Sequence, residues 1–294
     1  MGKNVFLSDE LLSSLETLDI FVHNYIGSRN AGKRRSKSFG GVSEFADYRE
    51  YMPGDDPRRI DWMLAGRTGE YFVRQFLDER KMQVHLMLDA SGSMAGEKGR
   101  FALRLLAAIG YLAILGMDTV SFRLLKGKEC RDLFGVINGR ERYLAVLESL
   151  GDITLEGETA LKEALEADRA PGFDDGLTVI ASDFMADDGW KKAVDALKMR
   201  RREVALVRVL SQEELSPSYR GRFSLRGAEA GDDAGYPLLV DREAARAYQE
   251  ALTFLDRDIT SFCQSRAIPL ILAASHEKVE DVLIRKGYMA ELIR

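Results

Sequence analysis

The sequence predicts an α/β protein: a doubly wound, mostly parallel sheet with helices on both faces, plus an N-terminal helix/strand extension. Three observations carry this. Short, mainly apolar runs such as Met82–Leu88 and Leu177–Ser182 alternate with longer segments of helical periodicity, the pattern of parallel strands covered on two sides. These runs end in turns rich in Gly, Ser and Asp, as strands do where they feed loops at the carboxyl edge of such a sheet. The chain has 294 residues and is 46% apolar, enough for one large domain with an appendage.

Taken in order, Ser8 with Asp9 and Glu10 starts a helix. Its stripe is Leu11, Leu12, Leu15, Leu18, Phe21, Val22 and Tyr25, and Gly27 stops it. A polar, basic loop runs from Ser28 to Ser38. Phe45–Trp62 mixes aromatic and charged residues, and Pro53-Gly54 marks a turn. Asp56-Pro57 reads as a cap with proline in the first turn, starting a short helix through Ile60 and Met63. Tyr71–Leu77 is a strand, joined by charged Asp78–Lys81 to the strand before Asp89. Then come a helix (Phe101–Leu115), a strand (Thr119–Leu125), a hairpin through Lys126-Gly127-Lys128 to Arg131–Val136, and helices at Arg140–Leu150 and Thr159–Ala167. Leu177–Ser182 is a strand, Trp190–Met199 a helix and Val204–Leu210 a strand. Ser211–Leu239, punctuated by glycines, reads as an inserted hairpin or loop excursion. Helix Asp241–Arg266, strand Ile268–Ala273 and helix Glu277–Arg285 complete the chain. The expected division is 1–80, an N-terminal helix and a charged segment, and 81–294, the α/β domain with its insertion at about 211–240.

A formal net charge of -5 argues against a dedicated nucleic-acid binder. Cys130 and Cys263 lie far apart and read as reduced core thiols of a cytoplasmic protein. The start, Met1–Leu7, lacks the pattern of a signal peptide. The apolar stretch Leu105–Met117 is shorter than the ~20 residues that span a bilayer, so it reads as a buried helix and no membrane span is expected. No Walker-type phosphate loop is present, so no ATP hydrolysis is expected. His23, His85 and His276 show no ligand spacing and read as structural.

The run Asp89-Ala90-Ser91-Gly92-Ser93-Met94 follows a strand directly. It sets one carboxylate and two hydroxyls, at alternate positions, on the carboxyl edge of the sheet, where such sheets bind ligands. Hard oxygen donors suit Mg2+ or a similar cation. A doubly wound sheet brings two further turns alongside, Gly157-Glu158-Thr159 and Ser182-Asp183. The candidate metal set is therefore Asp89, Ser91, Ser93, Thr159 and Asp183. The same residues allow two other readings: Asp89 and Thr159 as helix caps, or a degenerate site without metal. A lysine or an apolar side chain filling the space between the turns would defeat the metal reading.

These five positions resemble, residue for residue, the metal-ion-dependent adhesion site of the von Willebrand factor A (VWA) family. The resemblance implies that Ser91, Ser93 and Thr159 bind Mg2+ directly (Mn2+ or Ca2+ being alternatives), with Asp89 and Asp183 close by, largely through water. An open position then takes a carboxylate from a partner protein. The segment Phe45-Ala46-Asp47-Tyr48-Arg49-Glu50-Tyr51-Met52-Pro53-Gly54-Asp55-Asp56-Pro57-Arg58-Arg59-Ile60-Asp61-Trp62, with Arg35-Ser36 before it and Glu79-Arg80 after, resembles the signature of a bacterial VWA-like family, domain of unknown function 58. That resemblance runs from about Arg29 to the C-terminus. It implies a partnership with a MoxR-type AAA+ ATPase in maturation or assembly of other proteins. Many relatives carry transmembrane helices ahead of the signature, where this chain has a helix of soluble type.

Within the signature, Asp55, Asp56 and Asp61 lie near Arg49, Arg58 and Arg59. They form either an ion-pair and capping network or a docking surface. The basic loop, with Arg29, Lys33, Arg34, Arg35 and Lys37, is either a solvated loop or a contact for an acidic surface or phosphate. The candidate partner-binding residues are thus Arg34, Arg35, Arg49, Asp55, Asp56, Arg58 and Arg59. The resulting expectation is a non-enzymatic protein-binding module with a Mg2+ site and no catalytic residues. The alternatives are a structural subunit that never uses its metal site and a phosphatase of haloacid-dehalogenase type. The phosphatase needs a second Asp where Ser91 stands, and a lysine for which only Lys162 is at hand.

Overall fold

The computed structural model describes residues 6–21, 44–53, 55–77, 82–168, 176–186, 189–200, 202–217, 221–225 and 236–294. The chain divides into two compact units, one of Met1–Val22 with Met82–Arg294, the other of His23–Lys81.

The larger unit opens with α1 (Asp9–Leu15), capped by the Ser8 hydroxyl, which accepts from Leu11 N at 3.2 Å. The expected continuation to Gly27 is not formed. Beyond Glu16 the chain pairs with the C-terminus: Asp19 N and Phe21 N donate to Arg294 O and Leu292 O, each at 2.8 Å. The apolar spacing named the buried face, but a tertiary ladder took the backbone groups that a longer helix would have used. Val22 and Tyr25 lie outside the described residues.

In the smaller unit β1 (Glu44–Glu50) pairs antiparallel with β2 (Phe72–Leu77). The connection holds a 3-10 turn, Pro57–Arg59, and α2 (Trp62–Thr68). Asp56 caps the turn through Arg58 N at 3.0 Å. The single helix expected through Ile60 and Met63 is broken: Ile60 is extended, buried and bridged to Val73. Asp61 restarts the chain as a fresh cap, accepting from Met63 N and Leu64 N at 3.1 Å each. Its other oxygen accepts from Tyr48 OH at 2.8 Å. Arg49 pairs with Asp55 at 2.6 Å, and Asp55 also accepts from Met52 N at 2.9 Å. That amide first, and then Arg49, hold the Asp55 carboxyl below its ordinary value. The charged signature thus builds caps and an ion pair. Arg34 and Arg35 lie outside the described residues.

The rest of the larger unit runs β3 (Gln83–Asp89), α3 (Glu97–Leu115), β4 (Thr119–Lys126), β5 (Glu129–Asp132), α4 (Arg140–Leu150), α5 (Leu161–Glu166), β6 (Gly176–Ser182), α6 (Trp190–Met199) and β7 (Arg202–Leu210). It continues with α7 (Gln212–Leu215), β8 (Gly221–Leu225), β9 (Tyr236–Val240), α8 (Arg242–Gln264), β10 (Leu270–Ala274) and α9 (Val279–Asp281), which enters a π-helical turn, Val282–Gly287. β8 and β9 pair as an antiparallel hairpin in the 211–240 excursion.

The main sheet has the order β10-β7-β6-β3-β4-β5, with β5 antiparallel to β4 and the other neighbours parallel. This is the expected mostly parallel, doubly wound sheet with helices on both faces. The chain starts at β3, builds outward to β4 and β5, and returns to build β6, β7 and β10 on the other side. The reversal at β3 and β6 opens a crevice outside their carboxyl ends.

One face of the sheet packs Met87, Ile180 and Leu206 against α5, α6 and α8 through Leu165, Trp190, Val194 and Phe262. The other face carries α3. Gly110 allows that approach, because a Cβ there would stand 2.8 Å from Leu86 Cδ1 and 2.3 Å from the Tyr143 hydroxyl. That hydroxyl donates to Ala107 O at 2.6 Å. The apolar stretch from Leu105 lies in this buried helix, and no described helix is long and apolar enough to cross a membrane. Deeper in the first face, Asp168 pairs with both Arg123 and Arg202, all three buried. Beside them His85 Nδ1 lies 2.9 Å from Ser121 Oγ. Burial first, then the charges of Arg202 and Arg123, lower the His85 pKa to about 3.

Candidate metal-binding site

Asp89 is the last residue of β3, so the sheet itself sets its position. Its Oδ1 accepts from Ser91 N at 2.9 Å, which folds the chain into the turn Gly92–Met94. That turn lies against the first turn of α3 at Gly99, where a Cβ would stand 2.2 Å from Met94 O. The Thr159 turn is clamped from both sides by backbone bonds: Gly92 N to Gly157 O at 2.7 Å, Gly127 N to Glu158 O at 2.9 Å and Ala160 N to Gly127 O at 2.8 Å. α5 begins later than expected, at Leu161, with Ala160 at its cap position and no side-chain cap. Thr159 therefore does not cap it. Its hydroxyl donates to Leu125 O at 3.2 Å and also bears on Asp89.

Asp183 follows β6. The Ser182 hydroxyl beside it donates to Asp89 Oδ2 at 2.7 Å and accepts from Phe184 N at 3.0 Å. Phe184 has φ 51, a left-handed conformation that is strained for a bulky side chain. Its ring is buried against Trp190, 4.8 Å between centroids, and this packing holds the bend that aims Asp183. The buried Arg208 donates from Nε to Asp183 O at 2.9 Å and pairs with Asp256.

Three turns distant in sequence thus meet at the crevice. Ser91 Oγ and Ser93 Oγ are 3.0 Å apart. Burial raises the Asp89 pKa, and the charge of Asp183 adds to this, against the hydrogen bonds from the Ser182 hydroxyl and the Ser91 amide and the nearness of the Thr159 hydroxyl. Burial pushes Asp183 up as well, but Lys98, the Met185 amide and the Ser93 hydroxyl bring it below its ordinary value. So the structure brings together all five residues expected from the sequence.

The donor set fits a hard cation in one measurable respect. Neighbouring oxygens of an octahedral Mg2+ site, each at about 2.1 Å from the ion, are about 3.0 Å apart, the separation of the two serine oxygens. The carboxylates are few: among the described residues no group of three Asp, Glu, His or Cys converges. An ion here would rest on hydroxyls as much as on charge. A lysine does enter the site. Lys98 Nζ lies 2.9 Å from Asp183 Oδ2 and 2.6 Å from Glu214 Oε1. Among the described residues it makes no hydrogen bond to Asp89, Ser91, Ser93 or Thr159.

Four contributors escaped the sequence reading: Lys98, Ser182, Arg208 and Glu214. Ser182 could have been found as the hydroxyl that ends a strand beside Asp89. The other three carry no local signal. A groove of about 780 Å³ runs between α3 and the segment after α4, past Gly96, Arg100, Leu103, Arg104, Asp152 and Leu155, with both arginines and Asp152 exposed.

Comparison with known proteins follows the same lines. The family model described as "Protein of unknown function DUF58" matches residues 47–253. Uncharacterized proteins of Mycobacterium bovis and Mycobacterium tuberculosis are 28% identical over 232 residues, 76% of this chain and 72% of theirs. Among solved structures, the conserved hypothetical protein BatB from Bacteroides thetaiotaomicron is 15% identical over 62% of this chain and 99% of its own, at a TM-score of 0.38. Manganese-loaded TRAP protein from Plasmodium vivax is 18% identical over 43% of this chain and 56% of its own, at 0.34. A von Willebrand factor type A protein from Catenulispora acidiphila is 9% identical over 75% of this chain and 43% of its own, at 0.35. These superpositions are too loose to add to what the strand order already establishes. The family match takes in most of the chain, with the charged segment from Asp47 onward and all five oxygen-bearing residues inside it, and the chain belongs to the DUF58 family.

Proposed function

We propose that this protein is a non-catalytic, metal-dependent protein-binding module. The observation that supports it is the convergence of Asp89, Ser91, Ser93, Thr159 and Asp183 at the reversal point of the sheet, with the two serine oxygens 3.0 Å apart. Ser91, Ser93 and Thr159 would hold Mg2+, or Mn2+ or Ca2+ in its place, with Asp89 and Asp183 balancing its charge. The bound ion would supply an electrophilic position for a carboxylate of the partner. The exposed Arg100 and Arg104 of α3, the helix that follows the serine turn, suit an acidic partner surface. The partner we propose is a MoxR-type AAA+ ATPase, or a client presented to one, which rests on the family resemblance alone. A cytoplasmic location accords with the two free cysteines.

The test pairs the purified protein with a purified MoxR-type ATPase. Saturable Mn2+ binding by calorimetry, lost in Asp89→Ala with the fold retained, supports the metal site. Association with the ATPase that chelator abolishes supports the bridge, and association unchanged in chelator and in Asp89→Ala refutes it. Asp89-dependent release of phosphate from an aryl phosphate would replace the whole reading with an enzymatic one.

A further inference from the structure

Lys98 is 4% exposed at its side chain and sits between two carboxylates from separate parts of the chain, Asp183 after β6 and Glu214 in α7. We propose that Lys98 is the internal counter-ion of the site, and that its ammonium and a divalent cation exchange on Asp183. This rests on the metal-binding reading above and adds to it what must leave when the ion arrives.

Both Asp183 oxygens are engaged, Oδ1 with Met185 N at 3.1 Å and Oδ2 with Lys98 at 2.9 Å. A dication drawn to this carboxylate meets a fixed positive charge at hydrogen-bond range, in a buried setting where solvent screens little. The two cannot share the group at full strength. The ammonium has somewhere to go, because Glu214 Oε1 is already 2.6 Å away. Glu214 is itself well held: its Oε2 accepts from Ser211 N at 2.7 Å, and its backbone carbonyl accepts from Tyr248 OH at 2.8 Å. Without an ion, Lys98 supplies the direct ion pair of the buried Asp183 carboxylate, with the charge of Arg208 behind it. With one, Lys98 is left to Glu214. The cost of this exchange lowers the affinity for the ion, so Lys98 tunes the concentration at which the site fills. It also links site occupancy to α7, which opens the 211–240 excursion.

The experiment measures Mn2+ affinity by calorimetry at fixed ionic strength, with circular dichroism as the check on fold. Replacing Lys98→Met together with Glu214→Gln removes one positive and one negative charge, so the local net charge is unchanged and only the competitor is lost. Mn2+ binding at least tenfold tighter than in the wild type is expected. Lys98→Gln, which keeps a donor beside Asp183 and so guards against loss of fold, moves in the same direction. Saturable binding that appears in the variants alone is the extreme form of this result. Equal or weaker binding in the variants overturns the exchange and leaves the metal reading standing. No saturable binding by the wild type or either variant removes the metal reading, and this inference with it.

Discussion

The Ser182 hydroxyl donates to Asp89 Oδ2 at 2.7 Å, so the ends of two adjacent strands are joined by side chains as well as by the ladder of the sheet. The same oxygen accepts from Phe184 N at 3.0 Å. Ser182→Ala strands both groups in a buried place, and each unsatisfied group costs about 1–3 kcal/mol. We expect a urea midpoint lowered accordingly, and weaker Mn2+ binding as Asp89 loses its orientation. A variant as stable as the wild type would mean that this bond does not hold the turns.

Gly99→Ala tests the approach of α3 to the serine turn. Alanine favours a helix by up to about 1 kcal/mol over glycine. Here, however, its Cβ would lie 2.2 Å from Met94 O and 2.1 Å from Leu155 Cδ1. The leucine can turn away but the carbonyl cannot, and overpacking costs about 1–3 kcal/mol. The net effect is a lower thermal midpoint with reduced Mn2+ affinity. A rise in the midpoint would show that the turn yields freely.

Asp168→Asn keeps the shape of the side chain but leaves Arg123 and Arg202 facing each other in the core without their shared counter-charge. Breaking a buried pair from one side costs about 3–5 kcal/mol. Denaturant unfolding checks it, and a loss below about 1 kcal/mol would show that solvent reaches these guanidinium groups.

His85 makes the fold sensitive to acid. Its folded pKa is lowered to about 3 from an ordinary 6.5. Below 6.5 the unfolded chain therefore takes up a proton that the folded chain refuses. The stability this represents is intact above pH 6.5 and is lost as the pH falls toward 3, at up to about 1.4 kcal/mol per unit. By pH 4.5 the loss from this residue is about 3 kcal/mol. His85→Asn keeps a polar group beside Ser121 and removes this dependence. Urea midpoints of the two proteins, compared from pH 7 down to 4.5, are expected to converge or cross, and parallel curves would exclude His85 as the cause.

Much of the fold could be read from local pattern. α4 and α6 have the bounds their periodicity predicts, Arg140–Leu150 and Trp190–Met199. The strands before Asp89 and Asp183 stand where the apolar runs put them. Two misses share a cause. α1 stops at Leu15 because Asp19 and Phe21 pair with the last residues of the chain, and the expected helix at Asp56 breaks because Ile60 bridges Val73. In both, backbone partners distant in sequence overrode a local preference. β1 carries charged and aromatic residues in place of an apolar stripe, and its partner β2 lies more than twenty residues on.

The sequence by itself determined the segments whose own burial periodicity goes unopposed, such as α4, α6 and the strands before Asp89 and Asp183, because that periodicity is a local property. It also determined which oxygen-bearing side chains end up on turns. Only the tertiary structure decided that these turns share one crevice, since that depends on β6 lining up beside β3 after the chain has crossed the sheet. It alone placed Lys98 between Asp183 and Glu214, 85 and 116 residues away along the chain. A charge seeks its partner through space, and neither spacing nor composition records which distant carboxylate will be buried beside it.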